Sequence, residues 1–323
     1  MSGWLPTSPC TPEACAGHPG KSASPARAAF RLGTALTLVL LAVAATPPVR
    51  LLPDRPRRAL VRAWAAALVR SMGVRITVRG TAGSDGAPEG RLIVANHISW
   101  LDVPLVAAVL PGRMLAKSEI GGWPVLGRLA ARAGTLFIER DRIRALPRTV
   151  EALAGALRAG DRVTVFPEGS TWCGRAQGPF RRAAFQSALD ARVPVQPVRI
   201  AYRLADGEPA GAPAFVGEDP LTASLWRIAR ARGIRAEVRL LPRIPPGRHS
   251  ARRDLAEAAW RAVLGDAAQE LPPPAGVPAR RRPGAAPDQP PATDRDSAKR
   301  PAASVHQCVS SSPAFASSSR TPS

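Results

Sequence analysis

The sequence predicts an α/β fold: a mixed, mostly parallel sheet flanked by helices, with an N-terminal membrane-anchoring helical segment. Three observations carry this. Between residues 74 and 265, short runs with strand periodicity alternate with runs of helical periodicity. Several of the strands are almost continuously apolar, as strands covered on both faces must be. Residues 32–49 contain no charged side chain.

Taken in order, residues 1–30 are rich in Pro, Ser, Ala and Gly and are expected to be a disordered tail. Residues 31–72 are expected to be a membrane anchor and an interfacial helix. The uncharged run has the core "ALTLVLLAVAA". As a helix it rises about 27 Å, just short of the roughly 30 Å of hydrocarbon in a bilayer. Pro47 and Pro48 should shorten it further. A cleaved leader is a competing reading, since Ala42-Val43-Ala44 fits a cleavage site, although such a leader would be long. A buried core helix is another. Arg50, Arg55, Arg57 and Arg58 follow directly, which favours that end being cytoplasmic. In "RALVRAWAAALVRSMG", Leu60, Trp64 and Leu68 recur at helical spacing with Arg58 and Arg62 off the stripe. That pattern suits a membrane interface or a helix packed on the domain.

Residues 73–268 are the expected catalytic-type domain. Strands are read at 74–80, 91–96, 113–120, 135–140, 162–169, 193–204 and 234–244. Helices are read at 101–109, 125–132, 144–159, 181–190, 221–232 and 251–264. Residues 269–323 return to Pro, Ala, Ser and scattered Arg, and are expected to be a second disordered tail.

The formal net charge is +21, mostly from Arg. Such an excess implies an anionic partner: nucleic acid, acidic phospholipid or a phosphorylated substrate. Aromatic residues make up only 5% with a single Tyr, too few for base-stacking platforms, so nucleic acid is not expected. The four cysteines, Cys10, Cys15, Cys173 and Cys308, show no zinc-knuckle or redox spacing. No metal site is expected, and the chain suits a reducing compartment.

Chemistry concentrates in "NHISWLD". The strand "LIVA" ends at Asn96, and strand carboxyl ends are where α/β sheets gather functional groups. His97 and Asp102 are five residues apart, about 140° around a straight helix. They can meet only if a turn intervenes before a helix, for which Ser99 could be the cap. A carboxylate on Nδ1 fixes the imidazole tautomer and stabilises the imidazolium, which makes a general base. A purely structural His–Asp hydrogen bond fits the fragment equally well.

Three further stretches matter: "GTLFIERD" at 134–141, "VFPEGSTWCG" at 165–174 and "VPVQPVRI" at 193–200. Together and in this order, the four stretches resemble the four sequence blocks of the glycerolipid acyltransferase family, which includes the 1-acylglycerol-3-phosphate acyltransferases. "LAKSEIGGWPVLG" resembles the segment before the second block. The resemblance implies that His97 is the general base for an acceptor hydroxyl and that Asp102 orients it. The hydroxyl would attack the thioester of acyl-CoA or acyl carrier protein, with no cofactor beyond that co-substrate and no acyl-enzyme. Arg140 would bind the acceptor's phosphate, with Lys117 a second ligand. Asn96, Glu168 and Gly169 would line the acceptor site, and Pro197 would shape it.

The resemblance makes 1-acyl-sn-glycerol-3-phosphate the expected acceptor and phosphatidic acid the product. Membrane phospholipid would be the partner, at the cytoplasmic face of the cell membrane. One departure opens an alternative. The third block ends in Ser170-Thr171 where the usual pattern ends in Thr-Arg. Arg175, Arg181 or Arg182 could compensate, or the acceptor could be another lysolipid such as a lyso-aminolipid. Rival classes are a basic nucleic-acid-binding protein and a membrane scaffold without activity. Cys173 and His249 read as structural or solvated, and Ser170 lacks a nucleophile-elbow frame.

Overall fold

The computed structural model describes residues 6–80, 90–139 and 142–265. The tail expected at 269–323 lies outside these. Seven strands form one sheet: β1 (Arg75–Arg79), β2 (Arg91–Ala95), β3 (Arg113–Lys117), β4 (Leu136–Ile138), β5 (Arg162–Val165), β6 (Val195–Arg203) and β7 (Arg235–Leu240). Their order is β1-β7-β6-β2-β5-β3-β4. Strands β6, β2, β5, β3 and β4 run parallel; β7 is antiparallel to β6, and β1 follows β7. The mixed, mostly parallel sheet is therefore as the sequence predicts.

The helices are α1 (Pro12–Cys15), α2 (Pro25–Arg50), α3 (Asp54–Ser71), α4 (Asp102–Val109), α5 (Ser118–Gly121), α6 (Leu126–Arg132), α7 (Leu146–Arg158), α8 (Ala183–Ala191), α9 (Leu221–Arg230) and α10 (Arg252–Leu264). The strand at the centre explains the layering. All five residues of β2 are buried, and the four apolar ones, Leu92 to Ala95, alternate between two cores. Ile93 and Ala95 pack with Leu68 of α3, Leu105 of α4 and Ile228 of α9. Leu92 and Val94 pack on the other face with Leu153 of α7, Phe185 of α8 and Leu255 of α10. A strand covered on both faces needs apolar residues at every position, which is why "RLIVA" does not alternate. Each fully buried aliphatic side chain here contributes about 1.5–3 kcal/mol.

Two expectations need correction. Residues 6–24 are not a free tail but a strap across the body. Ala23 N–H donates to Arg230 O at 2.6 Å, Arg232 N–H donates to Lys21 O at 3.1 Å, and Cys10, Ala16 and Ala23 are buried. Its composition reads as disorder because it has no hydrophobic period of its own. It is held instead by gaps in the body: a Cβ on Gly211 would lie 2.3 Å from Gly17 O.

The second correction concerns α2. It begins earlier than the apolar run, with the Ser24 hydroxyl accepting from Arg27 N–H, and it continues through Pro47 and Pro48 to Arg50. Its 26 residues rise about 39 Å, enough by length to cross a bilayer. Pro47 has no N–H for the carbonyl of Val43, four residues back. That carbonyl accepts instead from Arg132 Nη1 at 3.1 Å, and Arg50 Nε returns a bond to Arg132 O at 2.8 Å. Helix α6 thus supplies the donor that the proline removes.

Candidate active site

Strand β2 delivers the chain to the carboxyl edge of the sheet, where residues 96–101 form a loop before α4. Every part of this loop is tied. Asn96 side chain exchanges two hydrogen bonds with the backbone of Ile200 on β6, 2.9 Å from Nδ2 to O and 2.8 Å from N to Oδ1. It continues the β2–β6 pairing by one side chain and faces the strand. Ile98 O accepts from Phe215 N–H, and Trp100 Nε1 donates to Ser224 Oγ on α9 at 3.2 Å.

His97 and Asp102 meet. Nδ1 of His97 lies 2.9 Å from Oδ2 of Asp102. The expected cap at Ser99 takes a different form: its hydroxyl accepts from Leu101 N–H, and its carbonyl accepts from Asp102 N–H, closing a turn before the helix. Asp102 is the first residue of α4. Its carboxylate folds back so that Oδ2 also accepts from Ile98 N–H (2.6 Å) and Ser99 N–H (2.8 Å). Oδ1 accepts from the Tyr202 hydroxyl at 2.7 Å. A fully buried carboxylate is costly unless its lone pairs are met. Here four donors meet them, and each charge-assisted bond contributes about 1.5–3 kcal/mol. The carboxylate assigns the imidazole proton to Nδ1. Nε2 then carries the lone pair, and it has no hydrogen-bond partner among the described residues. The ring is 20% exposed. Its inner face stacks on Phe166, centroids 4.2 Å apart and planes at 16°.

Strand β5, next to β2, ends one residue before Phe166, and the Pro-Glu-Gly turn follows. Gly169 has φ +77, the left-handed region that favours glycine. The turn directs Glu168 inward, where it is 2% exposed. Oε2 accepts from His97 N–H at 2.6 Å and Oε1 from Gly178 N–H at 3.1 Å. Both oxygens are therefore engaged with backbone, and Glu168 braces the His97 loop from inside. Burial pushes its carboxyl up to about 8, with the Asp102 charge adding to this and the two N–H donors opposing it. His97 is held from its other side as well, because its carbonyl accepts from Trp172 N–H at 2.8 Å.

Lys117 ends β3 and is exposed, on the same sheet edge but two strands from β2, about 10 Å across. Ile138, the end of β4, pairs in register with Lys117. Arg140 lies outside the described residues. Pro197 sits within β6 opposite Val94. Arg175, Arg181 and Arg182 are exposed, and the Thr171 hydroxyl donates to Phe215 O.

Sequence reasoning missed Tyr202, Phe166 and Trp172 as parts of this site. For Tyr202 a signal existed: it is the chain's single tyrosine, on the strand of the fourth block.

The Acyltransferase family model matches residues 75–201, which run from β1 into β6 and include His97, Asp102 and Glu168. Over 208 residues the chain is 38% identical to the lyso-ornithine lipid O-acyltransferase of Pseudomonas aeruginosa, covering 64% of this chain and 78% of that one. The chain belongs to the glycerolipid acyltransferase family. This acyltransferase is also 40% identical over 141 residues to the 1-acyl-sn-glycerol-3-phosphate acyltransferase of Neisseria meningitidis, covering 44% and 55% of the two chains. Its fold matches the crystal structure of the 1-acyl-sn-glycerophosphate acyltransferase of Thermotoga maritima with a TM-score of 0.53 at 20% identity, over 73% of this chain and 94% of that one. It is thus an acyltransferase of the lysophospholipid type, as the four sequence blocks imply.

Proposed function

We propose that His97 Nε2 removes the proton from the free hydroxyl of a lysolipid, which attacks the thioester carbonyl of acyl-CoA or acyl carrier protein. The C–O ester bond forms and the C–S bond breaks. The proton then passes from the imidazolium to the departing thiolate. Asp102 positions the ring and stabilises its charged form. The observation that carries this reading is the pairing of Nδ1 with a buried, fully bonded carboxylate on a ring that is itself 20% exposed. Arg140 and Lys117 would receive anionic groups of the substrates.

For the acceptor, the reading favours a lyso-ornithine-type aminolipid. The third block has Thr171 where the usual pattern has Arg, and its hydroxyl is occupied by Phe215 O. The position offers no cation to a phosphate, and an ornithine headgroup has none. The relative that this chain covers to 78% also bears that acceptor in its name. The second reading, 1-acyl-sn-glycerol-3-phosphate, draws on the Neisseria relative and on Lys117 at the sheet edge. Purified full chain assayed with both acceptors, each with acyl-CoA and acyl carrier protein as donors, separates them. A higher kcat/KM for lyso-ornithine lipid is expected. The opposite ratio makes phosphatidic acid the product, and turnover of neither removes both acceptors.

For the membrane, α2 and α3 would lie in the plane of the cytoplasmic leaflet rather than cross it. Both ends of α2 bond to the same domain: Arg31 Nη1 to the carbonyls of Ala229 and Ala231 at the end of α9, and Arg50 to Arg132 O at the end of α6. Trp64 Nε1 fastens the middle, at Leu38 O. A helix held along its length cannot leave the domain to span a bilayer. Its outer face carries Leu36, Leu40 and Leu41, all about half exposed, ready for the acyl region of a leaflet.

A further inference from the structure

We propose that Cys10, Cys15 and Cys173 form a three-thiolate site for zinc(II), which fastens the N-terminal strap to the loop behind His97. The three Sγ atoms all lie within 4.8 Å of one another. Tetrahedral zinc with Zn–S bonds of about 2.3 Å sets its sulfurs about 3.8 Å apart, so side-chain rotation and a small approach of the strap complete the site. A disulfide requires two sulfurs to be close. Three mutually close sulfurs, two of them on residues that are under a tenth exposed, are what a thiophilic cation requires. An all-sulfur set excludes magnesium and calcium, which take oxygen.

The strap brings its two cysteines together by a single turn. Thr11 caps α1, its hydroxyl accepting from Ala14 N–H, with Cys10 just before the cap and Cys15 closing the helix. Cys173 comes from the loop after the Pro-Glu-Gly turn and is buried. Cys15 is only half-buried, which leaves one side open to a fourth ligand such as water. Thiols lose their protons to solvent when they ligate zinc, so binding should strengthen as pH rises. The clamp adjoins the active site. Trp172, next to Cys173, donates its N–H to His97 O, and Pro6 of the strap lies against Gly169.

The test uses the full chain in detergent under reducing conditions, with zinc and cobalt(II) as probes. One zinc per chain is expected, with thiolate-to-cobalt charge transfer and intense tetrahedral d–d bands on cobalt substitution, and a higher thermal midpoint with zinc. Cys308→Ser should change none of these. Cys10→Ser and Cys173→Ser should each weaken binding by more than the roughly 10–100-fold that losing an outer-shell partner costs. If either fails to fold, Cys15→Ser at the half-buried position serves in its place. Zinc binding that ignores all three substitutions overturns the proposal. So does a chain with three reactive thiols and no stoichiometric metal, or one isolated with a disulfide joining two of the three.

Discussion

The hydroxyl of Tyr202 donates to Oδ1 of Asp102 at 2.7 Å, from a buried side chain on strand β6. Asp102 in turn holds His97, so a residue 105 positions along the chain from the imidazole sets its orientation. Removing that hydroxyl leaves Oδ1 buried without its donor. Tyr202→Phe is expected to lower kcat about 10-fold, equal to about 1.4 kcal/mol, with KM unchanged because the Tyr202 hydroxyl acts through Asp102. Urea unfolding should show a loss of about 1–3 kcal/mol. A rise in KM at constant kcat would assign Tyr202 to substrate binding instead.

His97→Ala should reduce acyl transfer by about 10²- to 10⁴-fold, the usual contribution of a positioned general base. The ring is one-fifth exposed and its backbone bonds to Glu168 and Trp172 do not need the side chain. Circular dichroism and membrane pelleting should therefore match the parent. Activity within twofold of the parent would mean that another group removes the proton.

Glu168 gives the protein a pH dependence. Its folded value of about 8 lies above the ordinary 4.5, so between these the folded state holds a proton that the unfolded state has released. The contribution of this group to stability is complete below about 4.5 and is lost as pH rises through 8. Parent protein should lose more stability between pH 5 and 8 than Glu168→Gln, which cannot ionise. Equal slopes in paired urea titrations would show that Glu168 stays charged across this range.

Replacing Leu36, Leu40 and Leu41 together by Ser should release the chain from liposomes in flotation. Each leucine that enters a leaflet contributes about 1.5–3 kcal/mol. Binding should fall steeply even at low salt, since the charge is untouched, while thermal stability stays near the parent's because these side chains are exposed. Undiminished flotation would place the contact surface elsewhere.

Much of the fold was legible because periodicity reports burial. The strand at 91–96 and the helices near 146–158 and 252–264 are set by which faces are apolar, and those faces coincide with the two cores. The strap at 6–24 was not legible. Its small residues and prolines have no face of their own, and the glycines that receive it, Gly211 and Gly217, lie about two hundred residues away. The prolines of α2 misled for a related reason: local propensity counts the lost N–H but cannot count Arg132, which replaces it.

By itself, the sequence determined the layered α/β architecture, the edge of the sheet where chemistry gathers, and the pair His97 and Asp102, because these depend on neighbours a few residues apart. Tertiary structure alone decided that Tyr202 completes the carboxylate, that Glu168 braces the loop, and that Cys173 shares one spot with Cys10 and Cys15. Such contacts join residues that no local period relates. They form only when β2, β5 and β6 align in one sheet and the strap closes over its edge, so the distances that give them chemical meaning do not exist before the chain folds.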